Sequence, residues 1–170
     1  MSALSGKRIL VTGATGFIGG RLVEVLHEQP GAEVRALVHQ FKNASLLARY
    51  PVQMIAGSLQ DADSLDRAMQ GCDIVFHLAF GSRGSNAEMR ADTVEGARLV
   101  CETARRVGVK RLVYTSPFSV YGDAAPGDLT EQAPHRLSGD IYADSKLAAE
   151  DVVRASMQQR GLPAVILQPT

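Results

Sequence analysis

The chain has 170 residues, of which 45% are hydrophobic and 21% charged, and its 18 lysines and arginines balance its 18 aspartates and glutamates. One domain of about 150 residues is typical, and this hydrophobic content is sufficient for a buried core, which excludes a chain that is disordered throughout. A formal net charge of zero gives no overall attraction to nucleic acid or to an anionic membrane, so neither is expected as a partner.

Short runs of β-branched and other apolar residues alternate along the chain with longer stretches of helical periodicity. Strands are predicted at residues 8–12, 33–38, 52–55, 73–78, 110–115 and 164–167, and helices at 17–27, at 88–106 and from residue 142 onward. The strands are nearly continuous in apolar residues, which is typical of strands covered on both faces. The alternation predicts one α/β domain over residues 1–170, a doubly wound parallel sheet of Rossmann type with about six strands and helices on both faces.

Two segments depart from this alternation. Residues 122–140 form a connection of about 19 residues rich in Gly, Pro and Asp, and loops of that length inside compact domains are usually functional or disordered. The sequence stops at Pro169-Thr170, directly after the sixth predicted strand. We therefore expect this chain to be a fragment of a longer protein.

Cysteine and histidine usage predicts no metal site and no disulfide framework. The cysteines, Cys72 and Cys101, lack metal-ligand spacing, and the four histidines are scattered. The N-terminal residues lack the apolar segment of a secretory signal, and the apolar runs are far shorter than the ~20 residues that span a bilayer. We expect a cytoplasmic protein without a membrane segment.

The clearest motif is a glycine-rich turn between the first predicted strand and the first predicted helix, where residues 11–19 read VTGATGFIG. In this setting Gly13 permits a tight turn, Gly16 lets the backbone approach a pyrophosphate, and Gly19 lets the helix pack closely on the sheet. The N–H groups of the first helical turn then face the anion. The turn predicts dinucleotide binding. Its predicted contact residues are Gly13, Thr15, Gly16, Phe17, Ile18 and Gly19.

A second motif, YADSK at residues 142–146, has a Tyr-x-x-x-Lys spacing that places both side chains on one face of a helix. With the glycine turn, it resembles the short-chain dehydrogenase/reductase superfamily, and more closely its extended branch, the NAD(P)-dependent epimerase/dehydratase family. Further matches are DIVFHLA at 73–79, VYG at 120–122, TEQAP at 130–134 and LQPT at 167–170, in which Gln168 replaces the arginine of the family's Arg-Pro motif. The resemblance covers essentially the whole chain but only the N-terminal half of a typical member, so we expect the C-terminal substrate domain to be absent from this chain.

The resemblance implies an NAD(P)-dependent oxidoreductase or epimerase acting on a carbonyl or a secondary alcohol, with nucleotide sugars among the small-molecule substrates. It implies that Tyr142 is the acid/base and that Lys146 supports it and holds the nicotinamide ribose. A free tyrosine has a pKa of about 10, so proton transfer near neutral pH needs positive charge close to the phenol. The resemblance also makes the two long helices, near residues 88–106 and 142–160, candidates for a homodimer contact.

The match to the family breaks at Pro117. Family members usually have a serine or threonine there, which donates a hydrogen bond to the substrate oxygen, and proline has neither a hydroxyl nor an N–H group. Ser116 is adjacent to the expected position and is slightly preferred as a replacement over Ser119, two residues beyond. The alternative is a dinucleotide-binding module without turnover, acting as a sensor or structural partner.

The same segment bears on the type of reaction. In dehydratases of the family an Asp-Glu pair directly follows the hydroxyl residue, because elimination needs its own acid and base. Phe118 and Ser119 stand in those places here. Dehydration is therefore disfavoured.

The end of the second predicted strand bears on the choice between NAD and NADP. It lacks the carboxylate that would bind a ribose 2′-OH and repel a 2′-phosphate, and His39 and Lys42 follow the strand instead. NADP is slightly favoured for this reason. The other predicted cofactor contacts are Ser58, Leu59, Ala79 and Phe80, while His77 is expected to pack at its strand end rather than to act in chemistry.

Overall fold

The structure, a computed structural model, describes residues 3–82, 84–122 and 129–169. The strands are β1 (Arg8–Thr12), β2 (Glu33–Val38), β3 (Gln53–Ala56), β4 (Ile74–His77), β5 (Arg111–Thr115) and β6 (Ala164–Leu167). The α-helices are α1 (Phe17–His27), α2 (Ala62–Met69), α3 (Asn86–Arg106) and α4 (Ile141–Arg160). Short 3-10 helices lie at Phe41–Asn43, Leu47–Arg49 and Phe118–Tyr121. The six predicted strands are confirmed, with some ends shifted by one residue.

All six strands pair in parallel in one sheet, in the order β3-β2-β1-β4-β5-β6. The order reverses between β1 and β4, which is where doubly wound sheets bind ligands, at the carboxyl ends of the strands. Register brings the ends of three strands into one row, with Thr12 opposite His77 and His77 opposite Tyr114. The predicted doubly wound α/β fold is confirmed.

Helices cover both faces of the sheet, and β1 shows how the sequence provides for this. Ile9 and Val11 belong to a core layer that includes residues of α1, while Leu10 belongs to a second layer formed with α2, α3 and α4. All three side chains are fully buried. A strand buried on both faces needs apolar residues at successive positions, which explains its continuous apolar sequence.

Helix α2 was not predicted from the sequence. It has eight residues, and its buried apolar side chains are Leu65, Ala68 and Met69, too short a pattern to stand out against the polar residues around them. Asp61 caps the helix by accepting a hydrogen bond from the N–H of Asp63. A capping aspartate before a single turn of apolar spacing was therefore the available signal.

The long connection predicted at residues 122–140 lies partly outside the described residues, at 123–128. Its described residues, 122 and 129–140, contain no helix or strand, and the second stretch leads into α4. No helix in the described part of the chain combines the length and apolar character needed to cross a membrane. Across the same residues there is no group of three or more His, Cys, Asp or Glu side chains arranged to hold a metal ion.

Candidate active site

The glycine turn after β1 is closed too tightly for side chains. A Cβ atom on Gly13 would lie 2.7 Å from the backbone nitrogen of Ala79, and Gly13 has a φ of +71°, a conformation that favours glycine. A Cβ atom on Gly19 would lie 2.1 Å from the carbonyl oxygen of Gly13. The turn therefore brings the start of α1 against the ends of β1 and β4 at a distance that only glycine permits.

The N-terminus of α1 faces the mouth of this turn. Gly16 is its N-cap residue, no side chain caps the helix, and its first turn carries no acidic residue. The first N–H groups of a helix have no intrahelical partner and, with the helix dipole, favour an anion. The backbone of this turn and the first N–H groups of α1 thus form a site that fits a pyrophosphate. Side chains at Gly13 and Gly19 would fill that site.

A cleft of about 320 Å³ runs across the carboxyl ends of β1, β2, β3 and β4. The predicted cofactor residues that line it are Gly13, Thr15, Gly16, His39, Ser58, Leu59, Ala79 and Phe80. Four separate strand ends contribute to one cleft, as the parallel topology requires. Its shape and glycine-lined wall suit a dinucleotide laid over the sheet edge.

Three predicted turn residues do not line this cleft. The Phe17 side chain is 96% exposed and Ile18 is 53% exposed, both on the first turn of α1, while Gly19 is buried within the turn. Lys42 also lies beside the cleft rather than in its wall, on the exposed 3-10 helix Phe41–Asn43. These residues remain predictions as cofactor contacts.

Several cleft residues were missed by the sequence reasoning. They are Leu37, Gln40, Asn43, Gly57, Gln60, Leu78, Gly81, Ser82 and Asp92. Most lie within four residues of a strand end, and that proximity was the signal that could have found them. Asp92 had no such signal, because it comes from α3 and reaches the cleft where that helix packs against the loop at Gly81.

Tyr142 does not line this cleft, but its ring contacts Phe80, which does. Asp140 starts α4 by accepting a hydrogen bond from the N–H of Ala143 at 2.8 Å, and this fixes the first turn that carries Tyr142. The Tyr142 ring meets Phe80 edge-on, with 5.0 Å between ring centroids, and remains 42% exposed. Partial burial, with a smaller contribution from the Asp140 charge, raises the pKa of Tyr142. The protein alone therefore does not lower the pKa of this phenol.

Lys146 lies one helical turn beyond Tyr142 and is 3% exposed. Its Nζ atom sits 4.1 Å from the centre of the Tyr114 ring, a cation–π contact. Burial lowers the pKa of Lys146 to about 8, and the Glu150 charge acts in the opposite direction. Lys146 thus lies one helical turn from Tyr142, with its ammonium docked on the Tyr114 ring.

Ser116 follows β5 and is fully buried outside the cleft lining. Its N–H donates to the carbonyl of Leu167 at 2.8 Å, but its hydroxyl has no hydrogen-bond partner within the described residues. A buried hydroxyl without a partner costs about 1–3 kcal/mol, so the fold leaves Ser116 with an unsatisfied polar group. Pro117 precedes the 3-10 helix Phe118–Tyr121, which carries the partly exposed Ser119.

His77 is buried at the end of β4, as the sequence reasoning expected. Its Nδ1 lies 2.8 Å from the Thr12 hydroxyl, and its ring packs against Tyr114 with 5.5 Å between centroids. Burial, with a smaller contribution from the Lys146 charge, lowers the pKa of His77 to about 3. The imidazole is therefore neutral near pH 7, and it contributes packing rather than charge.

The buried His77 predicts a pH dependence of stability. Below pH 6.5 the unfolded chain binds a proton at this histidine, while the folded chain does not until about pH 3, so stability falls as the pH is lowered. We expect the free energy of unfolding, from urea titrations, to fall by about 1.4 kcal/mol per pH unit more steeply in the wild type than in His77→Gln below pH 6. The two curves should run parallel above pH 7. Parallel curves down to pH 5 would contradict this account of His77.

Comparisons with known proteins follow the same line as the geometry. A family model described as the NAD dependent epimerase/dehydratase family matches residues 9–170. The chain is 36% identical over 167 residues to a putative dihydroflavonol 4-reductase of Synechocystis sp., covering 94% of this chain and 48% of that protein. It is 34% identical over 177 residues to a 3 beta-hydroxysteroid dehydrogenase/Delta 5-->4-isomerase of Mycobacterium tuberculosis, covering 96% and 46%.

Among solved structures, a dTDP-glucose 4,6-dehydratase from Streptomyces venezuelae, solved with NAD bound, matches with a TM-score of 0.82 at 29% identity. The match covers 94% of this chain and 54% of that chain. The chain spans about half the length of the curated relatives it matches.

Proposed function

Because the chain belongs to the NAD-dependent epimerase/dehydratase family, we propose that it carries the cofactor site and the acid/base pair of an NAD(P)-dependent oxidoreductase or epimerase acting on a carbonyl or secondary alcohol. The observation that carries the proposal is the glycine turn closed against β4, which opens on a cleft lined by Phe80, whose ring contacts Tyr142. A turn with this geometry suits a pyrophosphate. The Tyr142 phenol, which contacts the cleft residue Phe80, suits proton transfer to a substrate oxygen.

The residues that would hold the dinucleotide divide by strand end. The backbone of Gly13 and Gly16 and the first N–H groups of α1 would receive the pyrophosphate. His39, Lys42 and Asn43, after β2, would surround the adenosine ribose, and the absence of a carboxylate at this strand end slightly favours NADP. The NAD-bound dehydratase keeps NAD as the second candidate.

The chemistry divides between the cofactor and the side chains at the end of the cleft. When bound, the nicotinamide supplies hydride exchange with the substrate carbon. Tyr142 exchanges the proton with the substrate oxygen, and Lys146 provides the positive charge that favours loss of that proton. Ser116, whose buried hydroxyl has no partner within the described residues, or Ser119 donates the hydrogen bond that Pro117 cannot make.

The substrate class is open between two groups of small molecules. The relatives named as a dihydroflavonol reductase and a hydroxysteroid dehydrogenase favour oxidation or reduction at a ring carbon, and the dTDP-glucose dehydratase favours a nucleotide sugar. Phe118 and Ser119 stand where dehydration would require an acid and a base, so dehydration is not proposed. Each of these relatives is named as an enzyme, which gives no support to a binding module without turnover.

We also retain two proposals about the whole protein. One is a cytoplasmic location. The other is a homodimer formed by α3 and α4. These two helices pack against each other within the chain, and their outer faces would form the contact with a second copy. Equilibrium sedimentation would measure the second directly.

Calorimetric titration with NADP(H) and NAD(H) tests the cofactor site. In His39→Asp a carboxylate replaces the imidazole ring, and we expect NADP(H) binding to weaken about tenfold or more, while NAD(H) binding is retained. His39→Gln introduces no charge and serves as the matched control, with affinities close to those of the wild type. Absence of binding by either nucleotide to the wild-type chain would overturn the proposed function.

A further inference from the structure

Glu150 is a fully buried carboxylate on α4, one helical turn beyond Lys146. The Nε and Nη2 atoms of Arg154 donate to its Oε1 at 2.8 and 2.6 Å. The side-chain amide of Gln168, just after β6, donates to its Oε2 at 3.2 Å and to its Oε1 at 3.4 Å. His135 Nε2 lies 3.5 Å from Oε1. The Glu150 carboxylate is thus surrounded by side chains that can donate hydrogen bonds to it.

Gln168 also ties this carboxylate to the end of the 3-10 helix after β5. The hydroxyl of Tyr121 donates to the Gln168 Oε1 atom at 2.6 Å, so that one amide bridges Tyr121 and Glu150. Gln168 is neutral, and the Arg154 side chain is 40% exposed and therefore partly screened by water. The negative charge of Glu150 is consequently not fully cancelled on the buried side of α4.

Lys146 and Glu150 are the only buried side chains among the lysines, arginines, aspartates and glutamates that the structure describes. They lie four residues apart on one helix, which makes them neighbours on its inner face. No direct ion pair within 4.0 Å joins them in the described structure, so they interact through space in a layer of low dielectric.

We infer that Glu150 is a positioning residue whose buried negative charge keeps the Lys146 side chain protonated and docked on the Tyr114 ring. This role rests on the proposed function, in which Lys146 must carry a positive charge beside Tyr142. Glu150 itself does not touch the cleft, and it acts through Lys146.

The surroundings of Lys146 explain why a distant carboxylate matters. Toward the sheet, Lys146 faces the Tyr114 ring and the neutral His77, and along α4 it lies one helical turn from both Tyr142 and Glu150. Desolvation favours loss of the lysine proton and lowers its pKa to about 8, while the Glu150 charge raises it. Removing that charge would lower the pKa of Lys146 further.

The test is a pH titration of Lys146 in the nucleotide-free protein. The titration is monitored by ¹³C NMR of the lysine side chains, and the Lys146→Met variant assigns the Lys146 signal. Glu150→Gln preserves the shape of the side chain and removes its charge, and we expect the Lys146 midpoint to fall by about one pH unit. Asp151→Asn removes an exposed carboxylate from the adjacent position of α4 and should leave the midpoint unchanged.

A second variant guards against misfolding of Glu150→Gln. Gln168→Arg places a cation beside Glu150. This cation cancels the field of the Glu150 charge at Lys146, so the Lys146 midpoint should fall, as in Glu150→Gln. Circular dichroism melts report whether each variant is folded. Unchanged Lys146 midpoints in folded Glu150→Gln and Gln168→Arg, with lowered melting temperatures, would mean that Glu150 is a structural anchor only. Since no nucleotide is present, this outcome is separate from a failure of the chain to bind NAD(P)(H).

Discussion

Replacing Gly19 with alanine is expected to lower the free energy of unfolding by at least about 2 kcal/mol and to abolish nucleotide binding. The new Cβ atom would lie 2.1 Å from the carbonyl oxygen of Gly13 and 2.9 Å from the Cα of Ala14, both backbone atoms of the turn. Helix propensity alone favours alanine over glycine by about 1 kcal/mol, so propensity would make Gly19→Ala more stable, whereas we expect it to be less stable. The steric clash outweighs the helix propensity because neither backbone atom can move without opening the turn.

The neighbouring glycine supplies the control. A Cβ atom on Gly20 would meet the Cδ2 atom of Leu46 at 2.9 Å, the end of a flexible side chain that is 43% exposed and can rotate away. Gly20→Ala should therefore change stability by less than about 1 kcal/mol and leave nucleotide binding intact. Urea unfolding and calorimetric titration of both variants measure the difference. Equal stability and equal nucleotide binding in the two variants would contradict the close packing of α1 on the turn.

The fold could be predicted because its determinants are local and repeated. Ile9, Leu10 and Val11 show in three consecutive residues that β1 is covered on both faces, and the glycine turn follows directly. The strand order, with its reversal between β1 and β4, was not predicted; the structure shows it, and the cleft lies at the carboxyl ends of these strands. Helix α2 escaped prediction because eight residues with one turn of apolar spacing do not separate from a polar loop.

The lining of the cleft could be predicted only next to a strand end, whereas Tyr142 and Lys146 were predicted from the Tyr-x-x-x-Lys motif on α4. Asp92 reaches the cleft through the packing of α3 on Gly81, a contact between distant elements that no local pattern encodes. The burial of Ser116 depends on which way its side chain points just after β5, and its position next to Pro117 in the sequence does not determine that direction. Glu150 was present in the sequence at helical spacing from Lys146, but its complete burial depends on Gln168 and Arg154 packing over it.

Tyr142→Phe is expected to reduce turnover by about 10²- to 10⁴-fold on any substrate that the wild-type protein converts, because the hydroxyl is the proposed proton donor and acceptor. The phenylalanine ring keeps the edge-on contact with Phe80, so stability and nucleotide binding should stay close to the wild type. Tyr114→Phe is the matched control, since it removes a hydroxyl that makes a long 3.5 Å contact with the Lys146 carbonyl and leaves a ring under the Lys146 ammonium. Steady-state rates of NAD(P)H consumption with a panel of ring ketones and nucleotide sugars measure both variants. Turnover by Tyr142→Phe equal to that of Tyr114→Phe would remove Tyr142 from the chemistry, and the proton would then have to come from Ser116, Ser119 or water.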